Sequence, residues 1–206
     1  MNIGDQTVVD GFLLTPFNPS AYSRGVYLNN SSPIIQNCTF KKCVSYAATS
    51  SHNGYGAAVF MENNSSPKFI NCSFEDNIAI NYGGALYVLN SSPVFIDCIF
   101  SNNKGSSTGG GAFNSGSSSI YSHCIFSGNI SKGQSSSRGG ALSFSGGGNS
   151  KINNCLITNN TANYGGAAIS CFHAGLSVLN CTISGNPADN QTGGRLFCTR
   201  KPAPIP

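Results

Sequence analysis

Ionisable side chains are scarce in this chain of 206 residues. It carries 11 Lys and Arg against 7 Asp and Glu, which gives a formal net charge of +4. The basic residues are scattered, and no basic run is longer than the pairs Lys41-Lys42 and Arg200-Lys201. Because nucleic-acid binding needs clustered Lys and Arg, we expect no nucleic-acid partner. The small supply of carboxylates also argues against acid/base catalysis, so we expect a non-enzyme with no catalytic residues.

Long apolar segments and metal-binding cysteine pairs are missing as well. No stretch approaches about 18 consecutive apolar residues, so the sequence predicts no transmembrane helix. The first 15 residues lack a basic segment and contain only the short apolar run Phe12-Leu13-Leu14, so no signal peptide is visible. Nine cysteines are present, but none forms a C-x-x-C pair, and we expect no metal and no cofactor.

What the sequence does contain is a repeat. The pattern N-C-x-F/I, with Asn sometimes replaced, places cysteines 34, 26, 26, 31 and 26 residues apart. A second motif, G-G-A or a close variant followed by an apolar residue, lies between successive cysteines, as in Gly83-Gly84-Ala85-Leu86. The distance from this motif to the next cysteine is nearly constant, whereas the distance from a cysteine to the next G-G-A motif varies. Insertions are therefore confined to one side of each repeat, as expected for loops on one face of a stack.

The repeat predicts an all-β solenoid. Each unit holds only short alternating runs such as Val94-Phe95-Ile96, broken by Gly, Asn and Ser-Ser-Pro, so no helix of useful length fits. A unit of about 26 residues leaves room for three strands of four to six residues and three turns. If the units stack, every strand pairs with its equivalent above and below. We therefore expect a single-stranded parallel β-helix of about seven coils without obvious caps.

Stacking also predicts columns of like side chains. Each phenylalanine of the motif follows its cysteine by two residues, so the two lie on the same face of the strand, and we expect them to point inward. The Asn before each cysteine suits a bend with left-handed backbone geometry. A further Asn recurs five residues after the cysteine and is replaced by Cys43 in one coil. The predicted structural columns are Cys38, Cys72, Cys98, Cys124, Cys155 and Cys181 (the cysteine column), Phe40, Phe74, Phe100 and Phe126 (the phenylalanine column), and Asn77, Asn103, Asn129, Asn160 and Asn186 (the asparagine column).

At these motifs the chain resembles a known group of proteins. The combination of F-x-x-N, as in Phe74 to Asn77, with G-G-A-L or G-G-A-F is similar to the repeat of chlamydial polymorphic outer-membrane proteins. Coils of the form S-S-P-x-x-x-N-C-x-F resemble the wider group of bacterial right-handed β-helix proteins with a pectin lyase-like solenoid. The resemblance covers residues 8 to about 197. It implies an extracellular or outer-membrane location and an adhesin-like or spacer segment of a larger protein.

The predicted organisation is a leader over residues 1–7, the repeat domain over 8–198 and a Pro-rich tail over 199–206. The chain begins and ends without a visible cap, and open β-helix rungs are prone to edge association. We therefore expect the ends to continue into other protein or to be covered by it.

Charged and titratable residues have structural interpretations in this register. Glu75 and Asp76 fall in the same columns as Lys41 and Lys42 one coil earlier, which predicts surface ion pairs between coils. Asp10, Asp97 and His123 are assigned to the bend column as turn residues. His52 lies in the long insertion Val44–Asn53, where it could contact a ligand, but no neighbouring residue in the sequence supports such a role.

The cysteines are expected to be free thiols. Stacked cysteines would have Cα atoms about 4.8 Å apart, within reach of a disulfide, but their parallel side-chain directions are unfavourable. The cysteine column is therefore interpreted as small apolar filler. Cys43, Cys171 and Cys198 fall outside the column, and any bridge or reactive thiol would involve them.

Two function classes stay open. The first is the non-catalytic surface segment, contacting a host surface or glycan through exposed sheets and the loops Val44–Asn53, Lys104–Thr108 and Ser131–Arg138. The second is a carbohydrate-active enzyme or glycan-binding module, with outer-face aromatics such as Tyr87 or Phe60 stacking on sugars. Clustering of the carboxylates would favour the enzyme and their dispersion the surface segment; these carboxylates are Glu62, Glu75, Asp76 and Asp97.

Overall fold

The computed structural model describes residues 7–16, 24–46, 54–133, 137–188 and 196–199. Within these ranges the chain forms strands and bends and contains no helix. The predicted leader up to residue 6, the tail from residue 200 and His52 lie outside the described residues. So do parts of two of the predicted loops.

The strands, numbered in chain order, form four sheets that the chain visits in turn in each coil. Sheet 1 contains β1 (Val8–Asp10), β4 (Ile34–Gln36), β8 (Lys68–Ile70), β12 (Val94–Ile96), β16 (Ile120–Ser122), β20 (Asn149–Asn153) and β24 (Gly175–Leu179). Sheet 2 contains β2 (Leu13–Leu14), β5 (Thr39–Lys41), β9 (Ser73–Glu75), β13 (Ile99–Ser101), β17 (Ile125–Ser127), β21 (Leu156–Thr158) and β25 (Thr182–Ser184).

Sheet 3 is short and contains β6 (Val44–Ser45), β10 (Ile78–Ala79), β14 (Lys104–Gly105), β18 (Ile130–Ser131) and β22 (Thr161–Ala162). Sheet 4 contains β3 (Val26–Asn29), β7 (Val59–Glu62), β11 (Leu86–Leu89), β15 (Ala112–Ser115), β19 (Leu142–Ser145), β23 (Ile169–Phe172) and β26 (Leu196–Thr199). Each segment predicted as a loop thus begins with strand residues of sheet 3. The rest of each segment, so far as it is described, connects sheet 3 to sheet 4.

All pairing is parallel and joins equivalent positions of neighbouring coils. Phe100 of β13, for example, pairs with Phe74 of β9 on one side and with Phe126 of β17 on the other. Three of the four sheets have seven strands. The prediction of an all-β, right-handed parallel β-helix of about seven coils is confirmed.

The prediction of three strands per coil was wrong, because within the described residues five of the seven coils have four short strands of two to five residues. Four bends separate them, and a residue in the left-handed region turns the chain at each one. In the coil that starts at Lys68 these residues are Asn71 (φ 50°), Asp76 (φ 54°), Gly83 (φ 64°) and Asn90 (φ 44°). Asn, Asp and Gly tolerate this region at low cost. The extra bend at Asp76 splits what looked like one strand into β9 and β10.

The core is a narrow stack of aromatic rings. Rings of the phenylalanine column lie almost parallel, with centroids 4.6 Å apart both for Phe74–Phe100 and for Phe100–Phe126. A second buried column, from Phe69 through Phe95 to Tyr121, meets the first edge to face. Offset-stacked and edge-to-face arrangements are the favourable ones for aromatic pairs. These rings are fully buried and hold successive coils together.

Candidate functional site

The asparagine column is a buried hydrogen-bond chain. The Oδ1 atom of Asn103 accepts hydrogen bonds from the backbone N–H and the Nδ2 of Asn77, at 3.1 and 2.9 Å. The Nδ2 of Asn103 in turn donates to the carbonyl oxygen of Phe74 at 2.9 Å. The same pattern continues coil by coil to Asn186, and Cys43 donates its backbone N–H to Asn77 at the other end. These amides satisfy backbone groups at a bend, so the structure gives them an architectural role.

All nine cysteines are described and all are free thiols. In the cysteine column only Cys181 is more than slightly exposed, and each Sγ lies beside backbone carbonyls, such as Ile96 O at 3.3 Å from Cys98. Burial raises the pKa of Cys43, outside the column, to about 11. A buried thiol with a raised pKa, such as Cys43, stays protonated at neutral pH and is a poor nucleophile and a poor metal ligand.

The residues before the column cysteines occupy left-handed bends. Among them Asp97 has φ 53° and His123 has φ 55°. The assignment of Asp10 to this bend column was wrong. Asp10 pairs with Gln36 inside sheet 1, and Gly11 takes the bend position with φ 75°. Hydrogen bonds from the side chains of Gln36 and then Asn37 lower the pKa of Asp10.

The carboxylates do not gather at one place. Glu75 on β9 forms an ion pair with Lys41 on the neighbouring β5, with Nζ and Oε2 2.9 Å apart. Glu62 ends β7 in a different sheet, and Asp97 lies at a bend between sheets 1 and 2. Within the described ranges, no group of three or more His, Cys, Asp or Glu side chains is placed to hold a metal ion. In the part of the chain that the structure describes, Glu62, Glu75 and Asp97 therefore do not form the paired carboxylates that acid/base chemistry requires.

The outer face of sheet 4 differs from the other faces because it carries aromatic rings in register. The outward positions of its seven strands, from β3 to β26, are Tyr27, Phe60, Tyr87, Phe113, Ser143, Ser170 and Phe197. Ring centroids along the first four residues are 5.7, 5.1 and 5.4 Å apart. Tyr55 and Tyr82 add a second row, 4.8 Å from Tyr87 and 4.9 Å from Phe113 respectively.

Not every ring in this surface is accessible. Phe60 is only 1% exposed, since it is stacked between Tyr27 and Tyr87 and lies beneath the guanidinium of Arg24 at 4.9 Å. The prediction that Phe60 could stack on a sugar is therefore wrong. Tyr87 is partly exposed, and burial of its hydroxyl raises the pKa to about 12, which keeps it protonated as a hydrogen-bond donor.

A groove opens where the aromatic column gives way to serine. Ser143 and Ser170 replace rings in two successive strands, so Phe113 and Phe197 stand about 14 Å apart along the axis, three strand spacings. The groove has a volume of about 360 Å³. It is lined by Tyr82, Tyr87, Thr108, Phe113, Ser115, Arg138, Ser143, Ser145, Ser170 and Phe172, and we call it the serine groove.

Arg138 forms one side of the serine groove. Its guanidinium carbon lies 4.6 Å from the ring centroid of Tyr164 and 5.0 Å from that of Phe197. Such cation–π contacts orient a guanidinium while leaving its charge unneutralised. Among the described residues no Asp or Glu lines the groove. The site therefore combines aromatic walls, hydroxyl groups and one fixed positive charge. Its accessible hydroxyls belong to Thr108, Ser115 and Ser145, since Ser143 and Ser170 are only 2% exposed.

Sequence reasoning found only part of this surface. Tyr87 was identified as an outer-face aromatic, but Phe113, Arg138 and the serines were not. The available signal was the residue four positions after the bend glycine, as from Gly83 to Tyr87 and from Gly109 to Phe113, which points outward in sheet 4. Arg138 lies just before Gly139 at the end of an insertion, and periodicity alone does not show which way such a residue faces.

Comparison with known proteins defines the architecture. The model of the family described as right handed beta helix region matches residues 21–197, and the chain belongs to this family. Neither the curated proteins nor the solved structures include a match to the chain. The resemblance to chlamydial polymorphic outer-membrane proteins therefore stays a prediction from the motifs. Within the described ranges there is no helix long and apolar enough to cross a membrane.

Proposed function

We propose that this chain is a non-catalytic, adhesin-like β-helix module of an extracellular or cell-surface protein, and that it binds an extended glycan in the serine groove. The observation that carries the proposal is the groove itself, in which aromatic rings flank a floor of hydroxyl-bearing side chains on a rigid parallel sheet. The apolar faces of sugar rings pack on aromatic side chains, and their hydroxyl groups exchange hydrogen bonds with serine and threonine.

The rigidity of the site favours binding. Phe113, Ser115 and Ser145 project from paired strands, not from loops, so little side-chain or backbone order has to be gained when a ligand is bound. A solenoid also repeats its strand spacing along the axis, which suits a ligand that is itself a repeating chain.

The dispersion of carboxylates supports a non-catalytic role. Glu62, Glu75 and Asp97 occupy different sheets or bends, and none lines the serine groove. Polysaccharide cleavage by paired carboxyl groups needs two of them within about 10 Å across one bond. We therefore expect no unsaturated products or new reducing ends after incubation with pectin and Ca²⁺. Turnover that persists in the purified protein would overturn this part of the proposal.

A binding experiment tests the proposal directly. The full chain is screened against an array of polysaccharides, and hits are measured by calorimetry. Phe113→Ala and Arg138→Gln are expected to weaken binding about tenfold each, which corresponds to about 1.4 kcal/mol. Ile125→Ala, on the exposed face of sheet 2, is the control and should bind like the parent. Equal affinity for all four proteins would place the ligand elsewhere and overturn the site.

A further inference from the structure

Two cysteines outside the cysteine column lie directly opposite each other in sheet 4. Cys171 of β23 pairs in register with Cys198 of β26. Direct neighbours in a parallel sheet have Cα atoms about 4.8 Å apart, inside the range that disulfides occupy. Burial, followed by the neighbouring Cys198, raises the pKa of Cys171.

The pair differs from the cysteine column in accessibility. Cys198 is the exposed thiol among the nine cysteines, whereas Cys171 beside it is 3% exposed. Column cysteines are enclosed at the bend between sheets 1 and 2, and each Sγ contacts backbone carbonyls of its own and the preceding coil. A reagent in solution therefore reaches the Cys171–Cys198 pair first.

The strand that carries Cys198 has room to adjust. Within the described residues β26 pairs with β23 alone. A disulfide needs its Cβ atoms at about 3.8 Å and side chains that converge. In-register neighbours start about 4.8 Å apart with parallel side chains, so the strand that carries Cys198 has to shift by about 1 Å and tilt. An edge strand accommodates such a shift at lower cost than a strand that is paired on both sides.

We propose that Cys171 and Cys198 form a redox-sensitive disulfide that ties β26 to β23. The oxidant is a small-molecule disulfide. The Cys198 thiolate attacks one of its sulfurs and releases one small thiol. The Cys171 thiolate then attacks the Cys198 sulfur of the mixed disulfide and releases the second thiol. Two protein thiols are oxidised, one small-molecule disulfide is reduced to two thiols, and two protons pass to the departing thiolates.

The disulfide would act on the serine groove, and this consequence rests on the proposed function. Phe197, next to Cys198, supports the guanidinium of Arg138, and Phe172, next to Cys171, lines the groove. Fixing β26 therefore fixes the Arg138 side of the groove, and we expect glycan affinity to rise several-fold on oxidation.

Thiol chemistry on the full chain tests the disulfide without any ligand. The reduced protein is incubated with oxidised glutathione at mildly alkaline pH, then denatured at acidic pH, and the remaining thiols are alkylated in denaturant. The intact mass gives their number. Seven alkylated thiols are expected instead of nine. Trypsin separates residues 196–200, which contain Cys198 alone, from residues 152–195, which contain Cys155, Cys171 and Cys181. The two peptides should be joined through Cys171.

Matched variants identify the cysteine that forms the disulfide with Cys198. Cys171→Ser is expected to abolish the crosslink, while Cys181→Ser should leave it intact. Nine alkylated thiols, a persistent mixed disulfide at Cys198, or a crosslink to Cys155 or Cys181 would each overturn the proposal. Failure of both redox forms to bind any glycan would count against the proposed function alone, because the crosslink is read out independently.

Discussion

The phenylalanine and asparagine columns of the interior and the outer face of sheet 4 differ in how strictly their side chains repeat. From Phe40 to Phe126 the phenylalanine column keeps the same residue through four coils, and the asparagine column does so through five. Along the outer column of sheet 4, by contrast, Phe113 is followed by Ser143 and Ser170 before Phe197 restores a ring.

The difference follows from what surrounds each column. An inward side chain must fill a fixed space between the coils above and below, so a smaller residue leaves a cavity and a larger one strains the stack. An outward side chain has no such fixed space to fill, although neighbouring groups can cover it, as two flanking rings and Arg24 cover Phe60. The interior repeat is therefore explained by the requirements of the fold. The interruption of the outer repeat at Ser143 and Ser170 is not, and it indicates where a functional site lies.

The largest expected effect is the loss of an interior ring. Phe100→Ala should lower the free energy of unfolding by about 3–5 kcal/mol, because it removes a ring stacked on both sides and leaves a cavity. Its neighbour Ile99 points outward from the same strand and is 42% exposed. Ile99→Ala should cost less than about 1 kcal/mol. Chemical denaturation of both variants measures the change in the free energy of unfolding. Similar losses for Phe100→Ala and Ile99→Ala would contradict the assignment of Phe100 to the interior and of Ile99 to the surface.

The next effect is the loss of one amide from the asparagine column. Asn129→Ala leaves the backbone N–H of Asn103 and the carbonyl of Phe100 buried without their partners, and should cost about 2–4 kcal/mol. Asn102→Gly is the control, since Asn102 is exposed and the next coil already has Gly128 at that bend. It should cost less than about 1 kcal/mol. A larger loss for Asn102→Gly than for Asn129→Ala would show that the side chain at the bend contributes more to stability than the hydrogen bonds of the asparagine column.

A smaller effect is expected for a ring on the outer face. Phe113→Ser extends the serine stretch by one strand and should lower the free energy of unfolding by about 1–2 kcal/mol, less than half the effect at Phe100. Phe113 is partly exposed, so less apolar area returns to water on unfolding. Urea denaturation with Phe100→Ala alongside makes the comparison. Equal losses would mean that the outer rings are part of the core.

The smallest effect concerns the surface ion pair. A hydrogen bond from Ser73, followed by one from Lys41, lowers the pKa of Glu75 below its ordinary value of 4.5. Because this carboxyl is more acidic in the folded chain, its stabilising contribution is present above the ordinary pKa and is lost as pH falls through the folded value. Both partners are substantially exposed, so the contribution is small.

A double-mutant cycle of Lys41→Met and Glu75→Gln, measured by denaturation at pH 7 and pH 3, checks this. Coupling is expected at pH 7 and should disappear at pH 3. Coupling that is equal at the two pH values would show that the carboxylate charge is not involved.

Periodicity was enough to place the repeat, the columns and the parallel stacking, because identical spacing of cysteine, phenylalanine and asparagine has one simple explanation in a solenoid. It was not enough to count the strands. The left-handed residue at Asp76 looks like any polar surface residue in the sequence, and only its backbone angle shows a bend. Asp10 was misplaced by one position for a related reason, since Gly11 serves the bend equally well.

The serine groove was beyond sequence reasoning because its residues come from separate coils. Tyr82 and Arg138 lie in connections between sheets 3 and 4 that differ in length. They come next to the outward residues of sheet 4 only in the folded structure. Burial of Phe60 likewise depends on Arg24 and two flanking rings, none of which is next to it in sequence.

The amino-acid sequence by itself determined that this protein is a parallel β-helix, because a repeat of small, apolar and amide residues at fixed spacing can bury its inward side chains and satisfy its backbone only by stacking. The tertiary structure decided which outward residues become neighbours. Strand pairing places side by side residues that are 26 to 34 positions apart in the sequence. The position of a residue such as Arg138 depends on how its loop packs. The aromatic surface, the serine groove and the Cys171–Cys198 pair exist through that packing.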